Sequence, residues 1–166
     1  THLEENHVFV INLMDLKTGD ILHCRNKGFQ SFVVGLCTKS DITHSAVAIS
    51  IWNKIHIIEA EPSKGINIKT FKNWQKLNSL DFEVSRLKDS NEKEDAIKLT
   101  SKSGITSYPL IKMLLVYTIH YFTNKWIRID EDKMWCSAFA GWFRGYNEWQ
   151  TMTPVDLYNR EKSNKN

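Results

Sequence analysis

Cysteine is scarce. Cys24, Cys37 and Cys136 are the only three in 166 residues, so a disulfide framework in which every thiol is paired is excluded. None belongs to a CxxC pair, which argues against a structural zinc site. One bridge between Cys24 and Cys37 stays open in an oxidising compartment and would leave Cys136 free. Long apolar runs are lacking too. None reaches the roughly 18 to 20 residues needed to cross a bilayer, and the most apolar stretch, Leu110 to Phe122, contains Lys112 and His120 and reads as a buried helix. No charge of one sign dominates, with 22 Lys and Arg against 19 Asp and Glu for a net charge of +3. The basic residues form no stripe interleaved with aromatics, so nucleic acid is not an expected partner. Mild basicity is compatible with cell-wall polymer or lipid headgroups without predicting either. No signal-peptide pattern is visible, but the chain starts at Thr1 rather than Met, so localisation is not readable from this end.

Internal repeats are absent, and the one low-complexity segment is the polar tail Arg160 to Asn166, expected to fray. With no linker in view, the expectation is one domain over 1–166, long enough for a real hydrophobic core. Six tryptophans and eight phenylalanines suit a well-filled interior or an apolar cleft.

The pattern of turns and apolar periodicity predicts an α+β layout, a mostly antiparallel sheet packed against helices. Leu16-Lys17-Thr18-Gly19-Asp20 is a turn into a strand at Ile21 to Cys24. Phe29, Phe32, Val33 and Leu36 recur at helical spacing within Gly28 to Thr38. His44 to Trp52 is a β-branched run, paired through the turn at Trp52-Asn53-Lys54 with Lys54 to Glu61 as a hairpin. Gly65 to Phe71 and Asp81 to Leu87 are further strand candidates around a helical turn at Lys72 to Leu77. A polar helix is expected over Asn91 to Lys102, capped by Asn91 or Ser90 and ended by Gly104. Two more helices should start near Pro109 and Trp135, the second ending at Gly145.

Three residues carry the candidate chemistry. Cys136 opens the predicted helix Cys136-Ser137-Ala138-Phe139-Ala140-Gly141-Trp142-Phe143. A helix N-terminus has unsatisfied N–H groups and about half a positive charge, which stabilise a thiolate, the nucleophilic form. The same N–H groups can hold the oxyanion of a tetrahedral intermediate. A free cysteine is also among the most buried residue types, which is the plain structural reading. His44 leads a strand whose one side continues with Ala46, Ala48 and Ser50. Those small residues leave room for a helix to approach, which would bring the imidazole to a thiol at the helix start. A strand-edge histidine bonded to backbone is the alternative. Glu59, within Ile57-Ile58-Glu59-Ala60, needs a partner in so apolar a run. Orienting an imidazole would supply one, whereas reaching solvent at a strand end would serve as well, and Glu61 could compete for the role.

Several residues are set aside. His23 and Cys24 alternate across a strand and cannot form a simple dyad. His56 falls on the pleat face opposite Glu59, His120 has no partner that the sequence identifies, and Asp20 suits a turn-stabilising role.

In order, these segments resemble the NlpC/P60 family of papain-like enzymes in its circularly permuted, YiiX/YebB-like form. The usual pattern places a tyrosine and a Cys-Ser helix before Gly-Asp-hydrophobic, a His-led strand and a third polar residue. Here Gly19-Asp20-Ile21-Leu22, Thr43-His44-Ser45-Ala46-Val47 and Ile57-Ile58-Glu59-Ala60 come first. Thr106-Ser107-Tyr108 and Met134-Trp135-Cys136-Ser137-Ala138 come last. The resemblance extends from about Leu16 to Tyr158 and takes in Thr153-Pro154-Val155-Asp156-Leu157. It departs from the family where Pro109 follows Tyr108 and where a long stretch, Leu110 to Met134, precedes Cys136.

The resemblance implies a cysteine hydrolase with a Cys136–His44–Glu59 triad and a thioester intermediate, with Tyr108 donating to substrate or oxyanion and no metal or organic cofactor. It implies peptide-like or cell-wall-peptide-like amides as substrates and is compatible with a cell-envelope or secreted location. The alternatives are an acyl-lipid hydrolase or acyltransferase of the same fold, and a binding module that has kept the fold without catalysis.

Overall fold

The computed structural model describes residues 15–62, 64–78, 81–86, 91–104, 106–125, 127–128 and 133–164. Leu87, Ser90 and Ile105 and the last two residues of the tail, all used in the sequence reading, lie outside them. Five strands form one antiparallel sheet in the order β4-β3-β2-β1-β5, from β1 (Ile21–Cys24), β2 (His44–Ile51), β3 (Lys54–Glu61), β4 (Gly65–Thr70) and β5 (Phe82–Ser85). The α-helices are α1 (Phe29–Thr38), α2 (Phe71–Gln75), α3 (Glu92–Thr100), α4 (Leu110–Thr123), α5 (Cys136–Arg144) and α6 (Pro154–Ser163). The α+β layout with an antiparallel sheet is as the sequence predicts.

The β2–β3 hairpin turns through Trp52 (φ 49°) and Asn53 (φ 58°). Two successive left-handed residues match the strand twist, the geometry preferred in two-residue hairpins. At the start of β4, Gly65 has φ 67°, and a Cβ there would lie 2.0 Å from the Thr106 carbonyl oxygen. This close approach lets Ile66 N–H donate to the Thr106 carbonyl, tying the sheet edge to the segment that carries Tyr108.

Alternation divides the sheet into two buried faces. Ile21, Val47, Ile49, Ile58, Ala60 and Ile66 form one core with residues of α3 to α6, including Leu99, Tyr117, Phe139 and Leu157. Leu22, Cys24, Ala46, Ala48, Ile57 and Val84 face the other way, against Trp74 of α2 and Leu16. Each large side chain fully buried in these layers contributes about 1.5–3 kcal/mol.

Three expectations need correction, and one open question is answered. The helix ending the chain is missing from the sequence reading, and the supposedly frayed tail belongs to it through Ser163. There Glu161 is buried, accepting from Arg144 Nε (3.0 Å) and Tyr146 Oη (2.6 Å). Cys24 and Cys37 are both free, so the bridge left open does not form. Pro109 is the N-cap of α4 rather than a first-turn residue. Finally, α4 is not buried all round. Met113, Val116 and Tyr117 enter the core while Ile111, Leu115 and Phe122 face outward.

Candidate active site

Cys136 is the first residue of α5, with Trp135 as an N-cap in extended conformation that makes no side-chain capping bond. The first turn contains no acidic residue, so neither a capping side chain nor a carboxylate offsets the positive end of the helix. Two bonds fix where that end sits: Trp135 Nε1 and Ser137 Oγ both donate to the Met152 carbonyl, at 2.9 and 2.7 Å. Gly141 follows from the same packing, because a Cβ there would meet Met152 Sδ at 2.9 Å.

His44 is the first residue of β2, and its Nε2 bonds Glu59 Oε2 at 2.6 Å. The same imidazole is near enough for its charge to act on the Cys136 thiol. With Nε2 directed at Glu59, Nδ1 is the nitrogen left for the sulfur. Backbone N–H groups of Ser45 and Ser137 also favour the ionised form of Cys136. The structure therefore brings together all three residues singled out from the sequence.

The route differs from the one expected. α5 does not lie on the side of His44, Ala46 and Ala48. Its Ala138, Phe139 and Ala140 join Val47, Ile49 and Ile58 on the opposite face. The volume left by Ala46 and Ala48 is taken by the indole of Trp74. Because His44 stands at the very start of its strand, its ring meets the helix start at the end of the sheet.

Glu59 is 1% exposed and would be costly to bury alone. Three donors satisfy it. Besides His44, Trp74 Nε1 reaches Oε2 at 2.9 Å and Lys69 Nζ reaches Oε1 at 3.2 Å. Lys69 is shared with Glu61, which also accepts from Asn67. Glu61 is thus occupied with Lys69 and Asn67, away from His44. Trp74 and Lys69 were not singled out from the sequence. Alternation offers a signal for Lys69, since Asn67 pairs with Glu59 and Lys69 follows two residues on along the same face. No local pattern announces Trp74.

Electrostatics follow from this packing. Burial works against the charged form of Glu59, but the bond and charge of His44, the Trp74 indole and Lys69 outweigh it, leaving the carboxyl below its ordinary 4.5. Burial likewise disfavours imidazolium at His44, yet the Cys136 and Glu59 charges and hydrogen bonds raise it from 6.5 to about 10. For Cys136, burial raises the thiol value while the His44 charge and bond, with the Ser45 and Ser137 amides, bring it below its ordinary 9.0. The shifts agree in sign, each favouring the charged form of its group. Cys24, one strand away from His44, behaves oppositely. Full burial and the nearby Glu59 and Cys136 charges push it up, so it stays a thiol.

Tyr108 reaches the same place by a different path. Met134 N–H donates to the Ser107 carbonyl at 3.1 Å, and Ser107 bridges Lys133 in parallel. The chain thus leaves at Ser107 and returns at Met134 beside it, which aligns Tyr108 with Cys136 despite the long stretch between them. Tyr108 Oη accepts from Gln30 Nε2 at 2.6 Å and donates to Met113 Sδ at 3.1 Å. Burial and the Cys136 charge keep the phenol protonated, above 10. A cleft lined by His44, Glu59, Tyr108, Gln30, Asn26 and Thr43 opens over this group. Cys136, 6% exposed, is not itself part of the lining.

The set-aside residues stay apart. His23 bonds Ser85 Oγ at 3.0 Å across β1 and β5, on the face opposite Cys24. His56 Nδ1 bonds the Lys54 carbonyl, His120 lies on α4, and Asp20 accepts from Lys17 N–H at 3.0 Å within its turn. A cavity of 670 Å³ near the C-terminal ends of α1 and α4 is lined by Cys37 and His120 but by none of the candidate triad.

No protein-family model matches the chain, and no curated protein matches it. Solved structures do match, five chains in number. Among them, the metalloprotein yiiX from Escherichia coli O157:H7 superposes with a TM-score of 0.53 at 18% identity, covering 82% of this chain and 68% of that one.

The fold is yiiX-like.

At this identity the likeness concerns the papain-like α+β fold alone. As for a metal, among the described residues of this chain no group of three or more His, Cys, Asp and Glu side chains is placed to hold one.

Proposed function

We propose that this protein is a thiol hydrolase of the circularly permuted NlpC/P60 kind, cleaving an amide bond through Cys136, His44 and Glu59 within a single domain. The observation that carries the reading is the buried Glu59–His44 hydrogen bond beside a thiol at an uncapped helix start, each charged form favouring the other.

In the resting pair His44 already holds the proton that Cys136 would otherwise carry. The thiolate attacks the carbonyl carbon, forming a C–S bond, and the oxygen takes the negative charge. N–H groups at the start of α5 face that charge. Tyr108 would add a donor. Its hydroxyl proton is directed at a thioether, a weak acceptor, so turning toward an oxyanion forfeits little. Collapse expels the amine, which takes its proton from His44. Water then attacks the thioester with His44 as base, releasing the carboxylic acid and restoring the starting state. Glu59 keeps the ring oriented and its charge balanced throughout.

The polar cleft, lined by Asn26, Gln30 and Asn78, favours a peptide-like amide. One observation favours a second reading, an acyl ester. A mainly apolar groove of 480 Å³ beside Phe32, Gly35 and Leu36 meets the cleft at Asn26, Ser31 and Thr43, and could seat an acyl chain.

The test is alkylation by iodoacetamide between about pH 5 and 9, mapped at each cysteine in the wild type and in His44→Ala. Ordinary thiols react in proportion to a thiolate fraction governed by a value near 8.5. Fast modification of Cys136 alone well below pH 8, lost in His44→Ala, supports the pair and justifies screening amides and acyl esters. If Cys136 reacts no faster than Cys37, the hydrolase reading fails and a binding module takes its place.

A further inference from the structure

α1 and α4 lie side by side in parallel. Near their starts Gln30 bonds Tyr108, the residue just before the α4 cap, and near their ends Cys37 and Lys39 line one cavity with His120 and Tyr121. Both insert residues into the same core, Val34 from α1 and Met113, Val116 and Tyr117 from α4. Their opposite stripes are apolar and open to solvent. Phe29, Phe32 and Leu36 are 79%, 67% and 54% exposed, and Ile111, Leu115 and Phe122 are 83%, 56% and 78% exposed. Scattered exposed hydrophobics need no explanation, but six on adjoining helices form a patch of the kind that marks an interaction surface.

Charge says what the patch would meet. The segments 21–40 and 104–128 together contain no aspartate or glutamate, in a chain with 19 of them. Lys27 stands at the cleft end of the layer, and Lys39, Lys125 and Arg128 at the far end, all exposed. The acidic residues that border it are engaged elsewhere, Asp41 with Arg25 and Asp156 with Thr153, so the apolar surface with its basic rim matches an anionic lipid surface. It suits a second copy of itself poorly, because the rims would repel. Among the described residues no helix is long and apolar enough to span a bilayer, so the geometry is that of lying on one.

We infer that the outer face of the α1–α4 layer docks on an anionic lipid bilayer, with Phe29, Phe32, Leu36, Ile111, Leu115 and Phe122 entering the headgroup boundary. The surface stands apart from the hydrolase reading and does not depend on it. It gives the cleft a location, however. Gln30 and Tyr108, at the starts of the two helices, border the cleft, so docking holds its mouth beside the lipid surface.

The experiment is sedimentation of the full chain with vesicles of phosphatidylcholine, alone or with about 30% phosphatidylglycerol, at low and at about 0.5 M salt. Binding is expected to the anionic vesicles and to weaken with salt. Each neutralised lysine should lower partitioning roughly fivefold, so Lys39→Gln with Lys125→Gln should lower it about 25-fold. Phe29→Ser with Phe122→Ser should lower it roughly tenfold or more, with circular dichroism unchanged because both side chains are exposed. Absence of binding to anionic vesicles overturns the inference, as does binding that the serine substitutions leave intact. Analytical ultracentrifugation without lipid completes the test. A dimer abolished by the serine pair would assign the face to a second copy and also overturn it, whether or not Cys136 proves reactive.

Discussion

The substitution Glu59→Gln isolates the part played by the buried carboxylate. Glutamine has the same shape but one acceptor oxygen in place of two, and no charge. Three donors converge on the carboxylate, His44 and Trp74 on one oxygen and Lys69 on the other. With the amide oxygen in the first position, the bonds from His44 and Trp74 survive as neutral-acceptor bonds. The amide nitrogen then faces Lys69, which can turn to Glu61, already its partner. The protein should therefore fold, and the loss falls mainly on the His44 link. Hydrogen bonds to a charged group contribute about 1.5–3 kcal/mol and neutral ones about 0.5–1.5, a difference of ~1–2 kcal/mol. At 1.36 kcal/mol per pH unit this lowers the His44 value by about one unit. The charge of the imidazolium, and with it the pull on the thiolate, is unchanged while the ring stays protonated, so the loss falls on the alkaline side. The window in which the ion pair exists narrows there. The assay is the titration of the His44 ring followed by NMR in wild type and variant. The His44 midpoint should move downward by about one unit. A variant that stays folded and whose His44 midpoint moves by less than about 0.3 unit would refute the argument that Glu59 sustains the pair.

Trp74→Phe removes the second donor to Glu59 while keeping an aromatic ring against Phe71 and Phe82. It should cost about 1–3 kcal/mol in urea unfolding and slow Cys136 alkylation without abolishing it. Because the Glu59 carboxyl lies below 4.5 in the folded protein, the folded state holds its proton more weakly than the unfolded one. That stabilisation is fully present above pH 4.5 and is lost as pH falls through the lower folded value. The wild-type urea midpoint should thus drop between pH 6 and 3 more than that of Glu59→Gln, about 4.5 being the pivot. Gly65→Ala combines a left-handed φ with a Cβ 2.0 Å from the Thr106 carbonyl oxygen; a loss of about 2–4 kcal/mol is expected by denaturant titration. Thr153→Ala breaks the capping box with Asp156 at the start of α6 and should cost about 0.5–2 kcal/mol by the same measurement.

The parts of the fold legible in the sequence are those set by local rules. β1 and β3 have the bounds read from alternation and flanking turns, and α3, α4 and α5 start and stop within a few residues of their expected ends. The last helix escaped notice because its sequence, Pro154-Val155-Asp156-Leu157-Tyr158-Asn159-Arg160, is polar with few apolar repeats. Its signal was nonetheless present, a threonine cap followed at once by proline and three residues later by aspartate. For α4 the failure is of another kind. A helix apolar on every side reads as buried, and composition does not tell an interior from a surface awaiting a partner.

The site itself divides along the same line. Residue type and local frame were enough to single out Cys136, His44 and Glu59, because each stands at the end of an element or within a strand whose parity is readable. The side from which α5 approaches was not readable, and the reason lies in complementarity of size. Matching small residues with small ones put the helix of Ala138 and Ala140 over Ala46 and Ala48. But Phe139 and Phe143 on that helix need a β-branched surface, which Val47, Ile49 and Ile58 provide. The alanine face is then free to take the bulkiest side chain at hand, Trp74, fully buried. That exchange has a chemical consequence: the indole filling the space is also the donor that helps keep Glu59 ionised. Packing of large against small on one face of the sheet thus fixes the charge of a carboxylate whose effect is felt at a thiol packed from the other.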